Sequence, residues 1–494
     1  MASAADRPAA SDDALFREAA EAWERRDAES MLPRIERALP SSTDYRLWHI
    51  HGLIVRRLDR HGDALTSLGR AVELAPNAAN PAHALARTTL EAGLPSVDAF
   101  ARALALAPGN RELLLGLAAA LTAERRIDEA IVGLERAVSM LPQWVEAHAQ
   151  LSKLRWMQGE REGFARSFDQ ALAKVPGSLD LRRNHIITLT HAEQWDETLR
   201  AISEGRAAIG EHTIFDSNEA VVYSETGRTE AADAILDRLA DLDDATIQIR
   251  RVRHFLRSGR PAEASAAMEP WLERPDAFLF WPYASIAWRM TGDPRWEWLE
   301  GDPSFVGVYD IAERLPPLTD LASTLRQLHT VRGEPLEQSL RGGTQTDGNL
   351  FHRIDPIIVR LREAIRETVA EHVAKLPPRD ERHPLLAPPR DRIRFNGAWS
   401  VRLSERGYHA NHVHPLGWIS SALYVTLPPD VGQNEAGLLT LGEPQAQLRL
   451  DLTPTRMIEP KPGRLALFPS WMWHGTRPFG SGERMTVAFD VERP

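Results

Sequence analysis

Cysteine is absent from all 494 residues, so disulfides, thiolate zinc sites, iron–sulfur clusters and a cysteine nucleophile are excluded, and any metal must be held by His, Asp or Glu. No run of eighteen apolar residues occurs, which leaves no candidate for a membrane-spanning helix. The opening, MASAADRPAASDDALF, lacks the basic and apolar regions of a signal peptide. Residues 1–13 therefore read as a short disordered tail, and the protein as cytoplasmic. Positive charge is in deficit: a net charge of −10 gives no nucleic-acid footprint and leaves proteins, peptides or small molecules as partners. At this length a single core is exceeded, and on a prior of about 150 residues per domain two to four domains are expected.

What is present divides into two halves of different period. From Ala14 to about Arg250 the apolar residues recur at helical spacing, with repeating punctuation. Pro76, Pro108, Pro142 and Pro176 are separated by 32, 34 and 34 residues. Five positions before each stands a small residue (Ala71, Ala103, Ala137, Ala171), and three before that an apolar one (Leu68, Phe100, Leu134, Phe168). This pattern resembles the tetratricopeptide repeat, in which small residues mark where two helices touch and a proline follows the second helix. The match is strongest over residues 42 to 176, with a degenerate unit ending at Pro40 and weaker ones continuing through Gly227 and Ala231. Such units bury their faces by stacking, so residues 14–290 are expected to form an all-α solenoid with a groove suited to a peptide or protein.

Residues 291–353 lose the period and read as a junction, carrying PRWEWLEGDP, RLPPLTD and GGTQTDGN. Residues 354–494 open with an amphipathic helix: Asp355 suits its cap, Pro356 its first turn, and Ile357, Leu361, Ile365 and Val369 one face, before Pro377 and Pro378. From Arg392 the pattern changes to short alternating strands broken by Pro and Gly: RIRFNGAWSVRL, WISSALYVTLP, GLLTLG, RLALFP and RMTVAFDV. These suggest a jelly-roll, or double-stranded β-helix. The expected fold class is thus α+β multidomain, a helical solenoid followed by a jelly roll.

The chemistry concentrates in the strands. His412 and His414 lie two apart in NHVHPLGWISSALY, at the mouth of a predicted strand, and His474 follows in FPSWMWHGT. With 17 histidines in the chain, about 0.6 H-x-H pairs arise by chance, so the pair alone carries little. His49 and His51 make the same pair, but on a predicted helix, where residues two apart diverge by about 200°. In a strand His412 and His414 share a face and can chelate one ion. Ten positions past His474 comes Arg484, opening RMTVAFDV. Alternation puts Arg484, Thr486, Ala488 and Asp490 on one face, where a guanidinium and a hydroxyl are available to one carboxylate.

HVHPLGWISSALYVTLP, GRLALFPSWMWHGTRPF and GERMTVAFD resemble the core of the 2-oxoglutarate- and iron(II)-dependent oxygenases, specifically a bacterial group that fuses this domain behind tetratricopeptide repeats. The resemblance spans roughly residues 290 to 494. It implies a dioxygenase, with hydroxylation as the outcome, Fe(II) as metal and 2-oxoglutarate as co-substrate. His412 and His474 would be iron ligands, Arg484 and Thr486 would hold the far carboxylate of 2-oxoglutarate, and Tyr424 would be an extra contact. Asn396, Trp399 and Trp418 are substrate-side candidates, although an indole on a barrel strand is more often core.

The chain departs from the usual two-histidine, one-carboxylate iron site in having His414 where Asp or Glu is expected. His414 as a third neutral ligand is the favoured reading; a two-ligand site completed by water and a site completed by a distant acid stay open. Three imidazoles also suit zinc or copper, so iron follows from the resemblance. Two other functions remain: a repeat-based adaptor with a degenerate, non-catalytic jelly roll, and a cupin-like three-histidine enzyme that does not use 2-oxoglutarate.

Overall fold

A computed structural model of the chain describes residues 7–330, 336 and 339–494. It forms two compact units, one of Met1–Leu134 with Asp347–Val359, the other of Glu135–Thr346 with Arg360–Pro494. The first helix begins at Arg7 and runs to Glu24, so half of the expected tail is helical, and residues 1–6 lie outside the described residues.

The repeat punctuation acts as its chemistry dictates. The helices His61–Leu74, Val97–Leu106, Ile127–Met140 and Arg166–Lys174 each stop two residues before one of the four prolines. The pyrrolidine ring disfavours the helical conformation in the residue before it; Ala75, Ala107 and Val175 have accordingly left the helix, with φ of −138°, −141° and −132°. Leu68, Ala71, Phe100 and Ala103 are buried in the first unit. At Gly116, on the helix Arg111–Ala123, a Cβ would lie 2.2 Å from the Phe100 ring. Only glycine lets these two helices approach so closely.

In the second unit, helix pairs continue through Trp281–Thr291 and lead, among the described residues, into nine antiparallel strands. These are β1 (Gly307–Asp310), β2 (Leu340–Gln345), β3 (Phe395–His409), β4 (Gly417–Thr426), β5 (Leu439–Leu441), β6 (Arg456–Ile458), β7 (Arg464–Pro469), β8 (His474–Thr476) and β9 (Arg484–Glu492). They form a six-stranded sheet in the order β1-β7-β4-β9-β3-β2 and a three-stranded sheet in the order β6-β5-β8. The fold is a helical repeat array followed by a two-sheet β domain. Residues 291–353 are more than a junction, because β1 and β2 from that stretch are the two edge strands of the larger sheet. Their sequences, GVYD and the glycine-bearing LRGGTQ, are too short and too polar to announce strands.

The β domain is fastened to the last repeats. Trp473 Nε1 donates to Pro282 O at 2.9 Å, Arg257 Nε to Gln447 O at 2.7 Å, and Arg289 Nη1 and Nη2 to Gly442 O and Thr453 O at 2.9 and 2.6 Å. The amphipathic helix spans Pro356–Lys375. Leu361, Ile365 and Val369 are fully buried as expected, but the first turn directs Ile358 inward, leaving Ile357 half-buried.

Candidate metal centre

The site lies between the two sheets. Pro469 ends β7, and after a four-residue turn the chain re-enters as β8 at His474. His412 is not in a regular strand. It forms an isolated antiparallel bridge with His474, each backbone N–H donating to the other's carbonyl at 2.9 and 3.0 Å. A pair bonded in this way carries its side chains on one face, and the two rings lie 4.2 Å apart. His414 is in the loop before β4, held by its N–H on Ser470 O at 2.8 Å. Its ring is 4.9 Å from that of His412 and 5.2 Å from that of His474. Bridge and loop thus do what a continuous strand was expected to do, and the three ligand atoms lie within 4.8 Å of one another.

Hydrogen bonding fixes which nitrogen each ring offers. The Nδ1 of His412 is 2.8 Å from Ala410 O, and that of His474 is 2.9 Å from Met472 O. A carbonyl can only accept, so each Nδ1 carries the proton and each Nε2 a lone pair. His414 Nδ1 is 2.7 Å from Asp490 Oδ2, the carboxylate–histidine arrangement that orients a metal-binding imidazole and raises its basicity. Burial, reinforced by the neighbouring imidazoles, depresses protonation of His412 well below the usual range and that of His474 to about 3. Both rings are therefore neutral near pH 7, as metal ligation requires. The donor set suits a divalent transition metal.

Arg484, at the start of β9, is 2% exposed. Its Nη1 donates to Gly437 O at 2.6 Å and its Nη2 lies 3.4 Å from Thr476 Oγ1. Nε has no hydrogen-bond partner, and among the described residues no carboxylate pairs with this guanidinium. An uncompensated buried cation is costly, and it shares one cavity with Thr486, Asp490 and the three histidines. The inward face expected from alternation, Arg484, Thr486, Ala488 and Asp490, lines that cavity. Tyr424 is fully buried with the Arg484 guanidinium over its ring at 5.1 Å. It sits opposite Thr486 in the β4–β9 register, and its Oη lacks a partner within hydrogen-bonding geometry.

Of the substrate-side candidates, Trp399 lines the cavity and stacks on His414 at 5.5 Å and 4°. Trp418 is core, fully buried with Nε1 donating to Leu385 O at 2.9 Å, and Asn396 is exposed, away from the cavity lining. His51 has its Nδ1 on Ser67 Oγ at 2.8 Å in the helix Tyr45–Arg57, so the helical H-x-H forms no chelate. Two ionisable cavity residues went unassigned in the sequence. His409 lines the site and is pushed down to about 3 by burial; it sits there because β3 runs six residues beyond the expected end at Leu403. Asp490 was already on the inward face, and only its partner was illegible. A second grouping, His61, Glu91 and His352 in the first unit, has its carboxylate engaged by both forks of Arg56 at 2.6 Å and by Arg87 at 3.2 Å, a cationic setting unsuited to a metal.

Residues 397–490 match the family model described as "Putative 2OG-Fe(II) oxygenase". A curated relative from Arabidopsis thaliana, an inactive TPR repeat-containing thioredoxin, is 32% identical over 168 residues, 32% of this chain. The chain spans about a quarter (24%) of that relative's length. Among solved structures, a tetratricopeptide repeat protein from Parabacteroides merdae is 16% identical with a TM-score of 0.34, covering 56% of this chain and 98% of its own. A Pseudomonas putida prolyl-4-hydroxylase is 16% identical with a TM-score of 0.27, covering 38% of this chain and 93% of its own. Helical repeats thus precede a C-terminal segment, residues 397–490, that matches the 2OG-Fe(II) oxygenase family model.

Proposed function

We propose that this protein is a 2-oxoglutarate- and Fe(II)-dependent dioxygenase that hydroxylates a protein, peptide or other bulky substrate recruited by its repeats. The observation that carries the reading is the pairing, in one cavity, of three convergent imidazoles with a buried guanidinium that has no counter-charge. The first group fits a metal, the second a ligand carboxylate. His412, His414 and His474 hold the iron. Arg484 and Thr486 receive the far carboxylate of 2-oxoglutarate, and Tyr424 supports the guanidinium through its ring face.

Iron with bound 2-oxoglutarate supplies oxygen activation, coupling oxidative decarboxylation of the co-substrate to succinate with hydroxylation of a substrate C–H group. The protein's own contribution is placement and exclusion of water. Arg484 has its far side anchored on Gly437 O, so it presents a fixed charge and loses little side-chain freedom on binding. Asp490 returns, behind His414, the negative charge that an Asp or Glu ligand would have placed on the metal. Trp399 covers His414 and forms one wall of the cavity. The helix pairs ahead of the domain supply the docking surface, and a cytoplasmic location suits a chain without cysteine in which no described helix is long and apolar enough to cross a membrane.

The test is calorimetry of 2-oxoglutarate binding to anaerobic Fe(II)-loaded protein and to Arg484→Ala. The dioxygenase reading expects binding that requires metal and weakens at least about tenfold in the variant. Binding indifferent to Arg484 would favour a three-histidine enzyme without this co-substrate.

A further inference from the structure

A second pocket, of about 300 Å³, lies in the repeat part of the second unit, remote in sequence from the metal centre. It opens between the helices Ile127–Met140 and Arg166–Lys174, with Val145–Met157 contributing His148 and Arg155. The polar side chains at its base are deeply buried: Arg155 is 4% exposed, Ser167 2% and His148 1%. Four of their polar atoms, Arg155 Nε and Nη1, Ser167 Oγ and His148 Nδ1, have no hydrogen-bond partner. Buried polar atoms are satisfied in the great majority of cases, so four orphans lining one pocket point to a ligand.

The character of the orphans defines its chemistry. Arg155 Nη2 is engaged by Glu135 Oε1 at 2.6 Å, while its Nε stands 3.9 Å from a carboxylate oxygen of Glu160. Glu160 is itself paired with Arg166, and Lys174 adds a third cation at the rim. The pocket thus has an excess of positive charge and unanswered N–H donors. His148 is different. Its Nε2 lies 3.0 Å from Pro142 O, so Nε2 carries the proton and Nδ1 a lone pair that asks for a donor. Ser167 stands in the first turn of its nine-residue helix, where backbone N–H groups add favourable potential for an anion. A carboxylate or sulfate only accepts. A hydrogen phosphate, or a phosphomonoester bound as its monoanion, accepts through its free oxygens and donates through its P–OH, answering both kinds of orphan.

We propose that this pocket binds a phosphate group, free or as a small monoester, with Arg155, Arg166 and Ser167 holding its oxygens and His148 accepting from its hydroxyl. The test is calorimetric titration of the full chain with inorganic phosphate, with O-phosphoserine, and with sulfate as an acceptor-only control. Phosphate is expected to bind at least about tenfold more tightly than sulfate. Ser167→Ala and Arg155→Lys, each confirmed folded by its melting curve, are expected to weaken phosphate by about tenfold or more. Phosphoserine binding as well as phosphate identifies a monoester as the ligand, and phosphate alone identifies the free anion; both support the site. Absence of binding at millimolar phosphate, equal affinity for sulfate, or unchanged affinity in both variants overturns it.

Discussion

Replacing Asp490 by asparagine tests the metal centre at its least conventional point. The carboxylate is 8% exposed, accepts from His414 Nδ1 at 2.7 Å and takes Ser420 Oγ–H at 2.5 Å. The new side chain keeps the volume, and its amide oxygen can still face His414 while its NH₂ faces Ser420. The substitution therefore removes charge while preserving shape, and His414 loses the carboxylate that orients it toward a metal. Partners of this kind are typically worth roughly 10–100-fold in metal affinity, or about 1.4–2.7 kcal/mol. The assay is Fe(II) or Mn(II) titration against a competing chelator, with Ser420→Ala as control. Ser420 touches the carboxylate without touching His414, so it should move the affinity by less than Asp490→Asn does. If Asp490→Asn binds metal as tightly as the parent, His414 is not a ligand and the site has two protein ligands.

Arg484→Met should weaken 2-oxoglutarate by roughly 2–5 kcal/mol, the usual range for truncating one partner of a buried charge pair, readable in the same calorimetry. Because the guanidinium has no counter-charge in the free protein, the variant's melting temperature without ligands should equal or exceed the parent's; a fall would mean that the bonds to Gly437 and Thr476 outweigh the desolvation cost. Acid should destabilise the metal-free protein. Burial pushes His474 and His409 down to about 3 and His185 and His372 to about 4. The unfolded chain thus binds more protons below about pH 6.5, and stability present in full above that pH is lost as it falls, by up to about 1.4 kcal/mol per pH unit for each such histidine. Urea midpoints at about pH 7.5 and 5 should show it, and a flat profile would refute it. Gly116→Ala places a Cβ against Phe100 and should cost about 1–3 kcal/mol by overpacking, seen as a lower helical melting transition.

The repeat period was legible because Pro, Ala and an aromatic or leucine stand at fixed offsets, and each acts locally: proline stops a helix, alanine lets two helices touch. The candidate site residues were legible through residue type and the two-residue period of β9, which put Arg484, Thr486 and Asp490 on one face without knowledge of what lay opposite. Contacts made across the chain were not. Nothing in LRGGTQ or GVYD says that these short segments pair with the distant strands β3 and β7, and no local rule carries β3 past Leu403 to His409. The bracing of His414 by Asp490 spans 76 residues and follows only from the β3–β9–β4 order.

Succinate formation from 2-oxoglutarate, measured on anaerobically iron-loaded protein after admitting oxygen and compared with its His474→Ala variant, tests the central claim most directly. The account predicts slow turnover without added substrate in the parent and none in the variant. No succinate from iron-loaded protein, together with no 2-oxoglutarate binding, would contradict it and leave the β domain as a non-catalytic module of a repeat-based adaptor.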